Sequence, residues 1–285
     1  DEDEKEEVPD LKGVSFFDKG PLAKMAVIAA GPIFNFILAF VFSLVILSWA
    51  GIDPAVIAGT SEGMPAETAG LKEGDVITKL DGRKIHLSRE ISMYLMTAGQ
   101  DPVQVEYRRY DETSSSWTTE HTVIQPEFKD GRYYLGVLLQ GHRDAPESLV
   151  QVLQYSVYEV RYWILTVIDS LKMIVGGKVT TNDIAGPVRI VTIIDQTVEE
   201  NTQYGFVTVV MNLLNLMVMF SANLGVMHLL PFPALDGGRL VFLFWELVTG
   251  HPVSQRIEGA VNMTGMALLM TFMVFVVLND LRILF

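Results

Sequence analysis

Residues Asn223–Leu240 read NLGVMHLLPFPALDGGRL, and their reading decides the fold. A long apolar run breaks at Pro231 and Pro233 and delivers a single carboxylate, Asp236. Proline removes a backbone donor and forbids regular helix, so the chain is expected to unwind here. Non-helical backbone at membrane depth is tolerated only against protein or a water-filled cavity. A lone Asp beside membrane-grade sequence is costly unless it faces such a place, and there it marks a functional site. Gly237-Gly238 lets backbone pass close to something bulky, and Arg239 offers charge nearby. Two roles for Asp236 stand side by side. Its carboxylate suits a zinc ion, which takes Asp oxygen at about 2.0–2.2 Å. Equally, it suits the N-cap of a short helix expected over Leu240–Val248.

Working outward, Phe206–Leu230 and Ala260–Leu278 are apolar enough to span a bilayer, and so is Met25–Trp49. Some 25 residues at ~1.5 Å rise each cover ~30 Å of hydrocarbon with room for tilt. Inside Met25–Trp49 lie Gly31, Pro32 and Asn35, a GPxxN pattern. Small residues there let another helix approach closely, and Asn can hydrogen-bond across the contact. A packing and kink role and a catalytic-cavity role both fit that pattern. Trp49 suits an interfacial anchor.

The apolar share of 49% is therefore concentrated in spans rather than spread through the chain. A net charge of −13 argues against nucleic acid, because few cations are left to neutralise phosphates. About half of that charge sits in DEDEKEEVPD at positions 1–10, which reads as a solvated tail. Cysteine is absent, so disulfides and thiolate metal sites are excluded. The sequence opens without an initiator Met or a signal peptide, and a truncated chain is expected.

After Gly51 the composition turns soluble. Val56–Thr60, Val76–Leu80, Val103–Tyr107 and Thr118–Ile124 have strand character, separated by turn signals such as Asp81-Gly82. Ser88–Ala98 reads as a helix with Ser88 as N-cap and Gly99 as its stop. Ser148–Val175 is amphipathic but carries Glu159, Arg161 and Asp169, at ~2.5–3.5 kcal/mol for each charge near a bilayer centre. It is expected to lie in or against the membrane interface. Ala185–Val188 is expected to open a short extended piece. The boundaries are an acidic tail at 1–20, a spanning helix at 21–50 and an α+β domain at 51–141. An interfacial and return segment at 142–205 and a C-terminal membrane region at 206–285 complete them.

Together these stretches resemble the bacterial site-2 proteases, the zinc metalloproteases that cut within membranes. Asn223–Leu240 resembles that family's LDG segment, and Ala30-Gly-Pro-Ile-Phe-Asn-Phe36 resembles its second spanning helix. Ser61–Ile85 resembles a PDZ domain, which the family carries between those segments. Gly177-Lys-Val-Thr and Asp183–Val188 resemble the family's return to the membrane. The resemblance implies an α-helical polytopic membrane protein with an inserted α+β PDZ domain on the extracytoplasmic side. It implies Zn²⁺ as cofactor, Asp236 as one metal ligand, and hydrolysis of peptide bonds in single-pass membrane substrates such as anti-sigma factors.

The resemblance also implies a substrate cavity lined by Asn35, Gly31, Pro32, Pro231, Pro233 and Gly237, with Asn223 on the substrate or oxyanion side. His228 stands where the family more often has Asn. It can keep that substrate-side role by donating a hydrogen bond, approach the metal, or pack. Tyr134-Leu135-Gly136-Val137 resembles a PDZ carboxylate-binding loop and reads equally as a closing strand. In the family the PDZ domain is a filter that admits substrates whose outer domain is already trimmed. One departure is large. The family holds zinc through an HExxH helix, and the histidines here, at 86, 121, 142, 228 and 251, are never four apart. The competing expectation is a catalytically inactive membrane scaffold with a peptide-binding PDZ domain.

Overall fold

The computed structural model describes residues 19–177, 179–180 and 184–284. The acidic tail expected at the start, and Lys178 and residues 181–183 of the return segment, lie outside them. Helix α1 (Pro21–Ala50) opens the chain, with Pro32 accommodated inside it. An α+β domain follows: β1 (Ile57–Thr60), α2 (Pro65–Thr68), β2 (Val76–Leu80), β3 (Arg83–Lys84), α3 (Ser88–Thr97), β4 (Val103–Asp111), β5 (Ser116–Ile124), β6 (Glu127–Lys129), β7 (Arg132–Tyr134) and β8 (Val137–Leu139). Helices α4 (Leu149–Val175), α5 (Pro187–Thr202), α6 (Phe206–Leu229), α7 (Asp236–Thr249) and α8 (Gln255–Leu284) complete the chain.

Among the described residues three helices are long and apolar enough to cross a membrane: Pro21–Ala50, Phe206–Leu229 and Gln255–Ile283. The architecture is that of a helical membrane protein with an inserted α+β domain. Contacts divide the chain into two units. The smaller holds residues up to Phe34 together with Met227–Phe272, and the larger holds Asn35–Val226 and Met273–Phe285.

In the larger unit the α+β domain is built on a four-stranded sheet in the order β3-β2-β4-β5, antiparallel throughout. Strand β8 pairs with β1, Thr60 opposite Val137. Alternating apolar residues of the strands supply the core, where Ile57, Ile77, Leu80, Val105 and Leu135 are buried with Ile91 of α3. A second core joins Ala39 and Ile46 of α1 to Val218 and Ala222 of α6, with Val160 and Trp163 of α4 packed on it.

Glu159, Arg161 and Asp169 of α4 find partners on the α+β domain. Arg83 pairs with Asp169 at 2.5 Å, Arg89 with Glu159, and Arg161 with Glu90. His86 stacks on Tyr158 with ring centroids 3.8 Å apart. Burial raises the pKa of Glu159 above the usual carboxylate value, against the opposing pull of Arg89. These contacts account for those charged residues of α4. That helix is not among the helices suited to spanning.

Two local expectations change. Ser88 is the first residue of α3, not its cap: Leu87 holds the cap position, and the Ser88 hydroxyl donates to Asp53 at 2.5 Å. Glu90 instead accepts from the His86 and Leu87 backbone N–H groups. Residues 185–188 do not open an extended piece. Pro187 is the first residue of α5, where its missing N–H costs nothing. The cap arrives from α8, since buried Asp280 accepts from the Gly186 and Arg189 backbone N–H groups, each at 3.0 Å.

Candidate metal site at the Asp236 turn

Helix α6 ends at Leu229, and residues 230–235 run without helix before α7 begins at Asp236. Pro231 and Pro233 sit in that turn, as their missing donors demand. Ala234 adopts a left-handed backbone, φ +74°, which costs a non-glycine residue about 1–2 kcal/mol. Its N–H donates to the Asn262 side chain at 3.2 Å, so α8 holds the strained residue in place. Neither Asn262 nor the left-handed alanine could be read from the sequence, because both depend on a helix 28 residues further along.

The helix that follows starts four residues earlier than its apolar pattern indicates. Asp236 is its first residue and Leu235 its cap, so the capping role for Asp236 is replaced by a first-turn position. A carboxylate there meets the positive end of the helix dipole. Gly237 and Gly238 are helical despite their poor propensity, for a steric reason. A Cβ on Gly237 would strike the Leu229 and Leu230 carbonyls, and one on Gly238 would strike that of Phe232. Gly265 of α8 is equally required, since a Cβ there would lie 2.6 Å from the Pro233 carbonyl oxygen.

Around Asp236 the turn gathers two of the predicted residues. Gly31 of α1 faces it, and a Cβ there would stand in ordinary contact, 3.9 Å from Asp236 Oδ2. His228 Nδ1 lies 3.2 Å from the same oxygen. That is a hydrogen-bond distance without a hydrogen bond's alignment, and Nδ1 is buried with no hydrogen-bond partner among the described residues. Both side chains stay partly open, at 41% for His228 and 39% for Asp236. Arg239 does not pair with Asp236 among the described residues; it lines a cavity of about 310 Å³ with Lys24, Glu246 and Glu258. Lys24 of α1 meets Glu246 of α7 there at 3.4 Å.

Pro32 follows Gly31 on α1, while Asn35 and Asn223 belong to the larger unit, on α1 and α6. In the α+β domain, Leu135 is buried in the core and Gly136 turns at φ +83° over Met64. Val137 begins β8. They line a groove of about 550 Å³ with Ile91 and Leu95 of α3.

The donor chemistry fits a metal in part. Asp236 supplies a carboxylate and His228 an unengaged ring nitrogen, both acceptable to zinc. No cluster of three or more His, Cys, Asp or Glu is found among the described residues.

Comparison with known proteins bears on the same residues. The profile of peptidase family M50 matches residues 1–272. Zinc metalloprotease RasP of Shouchella clausii is 37% identical over 94% of this chain and 62% of its own length. A putative zinc metalloprotease of Clostridium acetobutylicum is 31% identical over 93% of this chain and 74% of its own length. The chain thus spans about six-tenths of the RasP relative. Among solved structures, the PDZ domain of an SdrC-like protein from Listeria innocua covers 32% of this chain and 98% of its own length, with 27% identity and a TM-score of 0.27.

Proposed function

We infer the function from one premise: the chain belongs to peptidase family M50, the site-2 proteases. From it we propose that these residues form the greater part of an intramembrane zinc metalloprotease that hydrolyses peptide bonds in single-pass membrane proteins, anti-sigma factors being the expected class. The observation that carries this reading is the Asp236 turn. A carboxylate stands at the first position of α7, in a strained loop that α8 braces, with Gly31 of α1 leaving room in front of it.

In this reading Asp236 is a ligand of zinc. The two histidines and the glutamate of the family's HExxH, absent from these 285 residues, belong to a part of the protein outside them. Zinc, when bound, polarises a scissile carbonyl and lowers the pKa of a coordinated water toward ~7. What this chain's residues contribute is position. Gly237 and Gly238 let α7 start hard against the turn, fixing where the carboxylate stands. Pro231 and Pro233 keep the turn from refolding as helix. Gly31, Pro32, Pro231, Pro233 and Gly237 line the substrate cavity in this proposal.

The PDZ-like domain stands on the extracytoplasmic side and acts as the filter for trimmed substrates. Its groove between α3 and β8, with Leu135, Gly136 and Val137 along it, is where an extended chain end would add as a strand. The whole molecule lies in the cell membrane as a multi-pass protein. Asp236→Ala in the full-length protein should abolish cleavage of a single-pass reporter at normal expression. Undiminished cleavage by that variant removes the ligand role.

A further inference from the structure

The Asp236 turn holds a second donor that the family pattern does not ask for. His228 precedes Asp236 by eight residues, on the last turn of α6, and the unwound segment folds it back onto the carboxylate. Its Nδ1 is 3.2 Å from Asp236 Oδ2, misaligned for a hydrogen bond and buried without a partner among the described residues. A buried polar atom left unsatisfied is destabilising. An unbound water or ion is one of the usual reasons such an atom persists.

The separation suits such an ion. Two ligands of one tetrahedral zinc, with bonds of about 2.0–2.1 Å, stand about 3.3 Å apart. Nδ1 and Oδ2 are at that spacing; an ion pair to a protonated imidazole would give the same distance, but the pair is misaligned for a hydrogen bond. An Asn at position 228 would bring only an amide, a poor zinc ligand, whereas imidazole is among the commonest.

The geometry points to His228 as a direct ligand, through Nδ1, of the same metal ion that Asp236 holds. This rests on the metal reading of Asp236. The imidazole binds in its neutral form, with its proton on Nε2. With two histidines from the family motif, the ion then has four protein ligands instead of three. It is held more tightly, and must expand to five positions when substrate or water enters.

The test uses the full-length protein in detergent, with zinc alone as the probe. Zinc affinity is read by competition with a chromophoric chelator, and imidazole ligands are counted by zinc-edge X-ray absorption. His228→Asn, which preserves size and hydrogen bonding, serves beside His228→Ala in case the smaller side chain disturbs folding. Both should lose one imidazole, and affinity should fall by more than the ~10–100-fold that loss of an outer-shell partner causes. An unchanged imidazole count in His228→Asn, with affinity lowered by ~100-fold or less, makes His228 an outer-shell residue and overturns the inference. Asp236→Ala separates the two levels. Loss of zinc in that variant upholds the site on which the inference stands. Zinc retained at wild-type affinity in Asp236→Ala removes the site reading itself, and this inference with it.

Discussion

Charged groups on α4 and at the start of α7 are handled in opposite ways. On α4, Glu159, Arg161 and Asp169 each meet an opposite charge from the PDZ-like domain, and Asp169 takes Lys172 as well. At α7, Asp236 and His228 face each other at 3.2 Å without a hydrogen bond. Their turn includes a left-handed alanine. Paired charges hold two elements together. Donors brought close without a hydrogen bond and braced from behind are, in the function proposed above, ligands of a metal ion. In the proposed function the contrast is between charges that serve the fold and charges that serve the chemistry, and it can be broken at either end.

The largest stability effect belongs to the paired side. Glu159→Ala leaves Arg89 partly buried without its main partner and should cost about 3 kcal/mol. That is the low end of the usual range, because Arg89 is 23% exposed and keeps Asp53 at 4.0 Å. Thermal unfolding should show the loss while zinc affinity stays at the wild-type value; a variant as stable as wild type would mean that the pair does not hold α4.

Gly237→Ala comes next. Its methyl group would collide with the Leu229 and Leu230 carbonyls, costing about 1–3 kcal/mol by overpacking. Unlike Glu159→Ala it should also lower reporter cleavage, since the collision displaces the carboxylate next to it. Wild-type cleavage by this variant would show that the tight start of α7 does not set the position of Asp236.

Ala234→Gly relieves left-handed strain of about 1–2 kcal/mol but gives the unfolded chain more freedom, worth about 0.4–1 kcal/mol. The two largely offset, and the thermal midpoint should rise slightly or not at all. A clear fall would mean that the alanine is not strained where it stands.

The smallest effect is a pH dependence of the α4 contact. Burial, with Arg161 adding to it, lowers the pKa of His86 below its ordinary 6.5, so the folded state resists protonation. Above pH 6.5 His86 is neutral folded or unfolded and the stacking on Tyr158 is intact. As pH falls below 6.5 the unfolded chain takes up the proton first, and stability declines. The midpoint should drop from pH 7 to pH 5.5, and His86→Phe should flatten that drop.

Much of this was legible in the sequence, for local reasons. The spans announce themselves by length and apolarity, and α1 and α6 fall within a few residues of their expected ends. Strand β2 begins and ends where its pattern does. Helix α5 was hidden because Gly186-Pro187 reads as a break, while its cap, Asp280, is supplied from 94 residues away. The partners of Glu159, Arg161 and Asp169 lie 70 to 86 residues upstream, so those charges read as a membrane problem instead of a docking surface. At the Asp236 turn the residue types were visible. The distances, the orphaned nitrogen and the bracing by Asn262 required the fold.

The most direct test of the comparison is zinc content beside thermal stability in the full-length Asp236→Ala and Glu159→Ala variants. Asp236→Ala should lose its zinc and Glu159→Ala should keep it, with the fold destabilised by about 3 kcal/mol only in the latter once both are stripped of metal. Zinc retained in Asp236→Ala, or lost equally in both, would contradict the assignment of Asp236 to the metal.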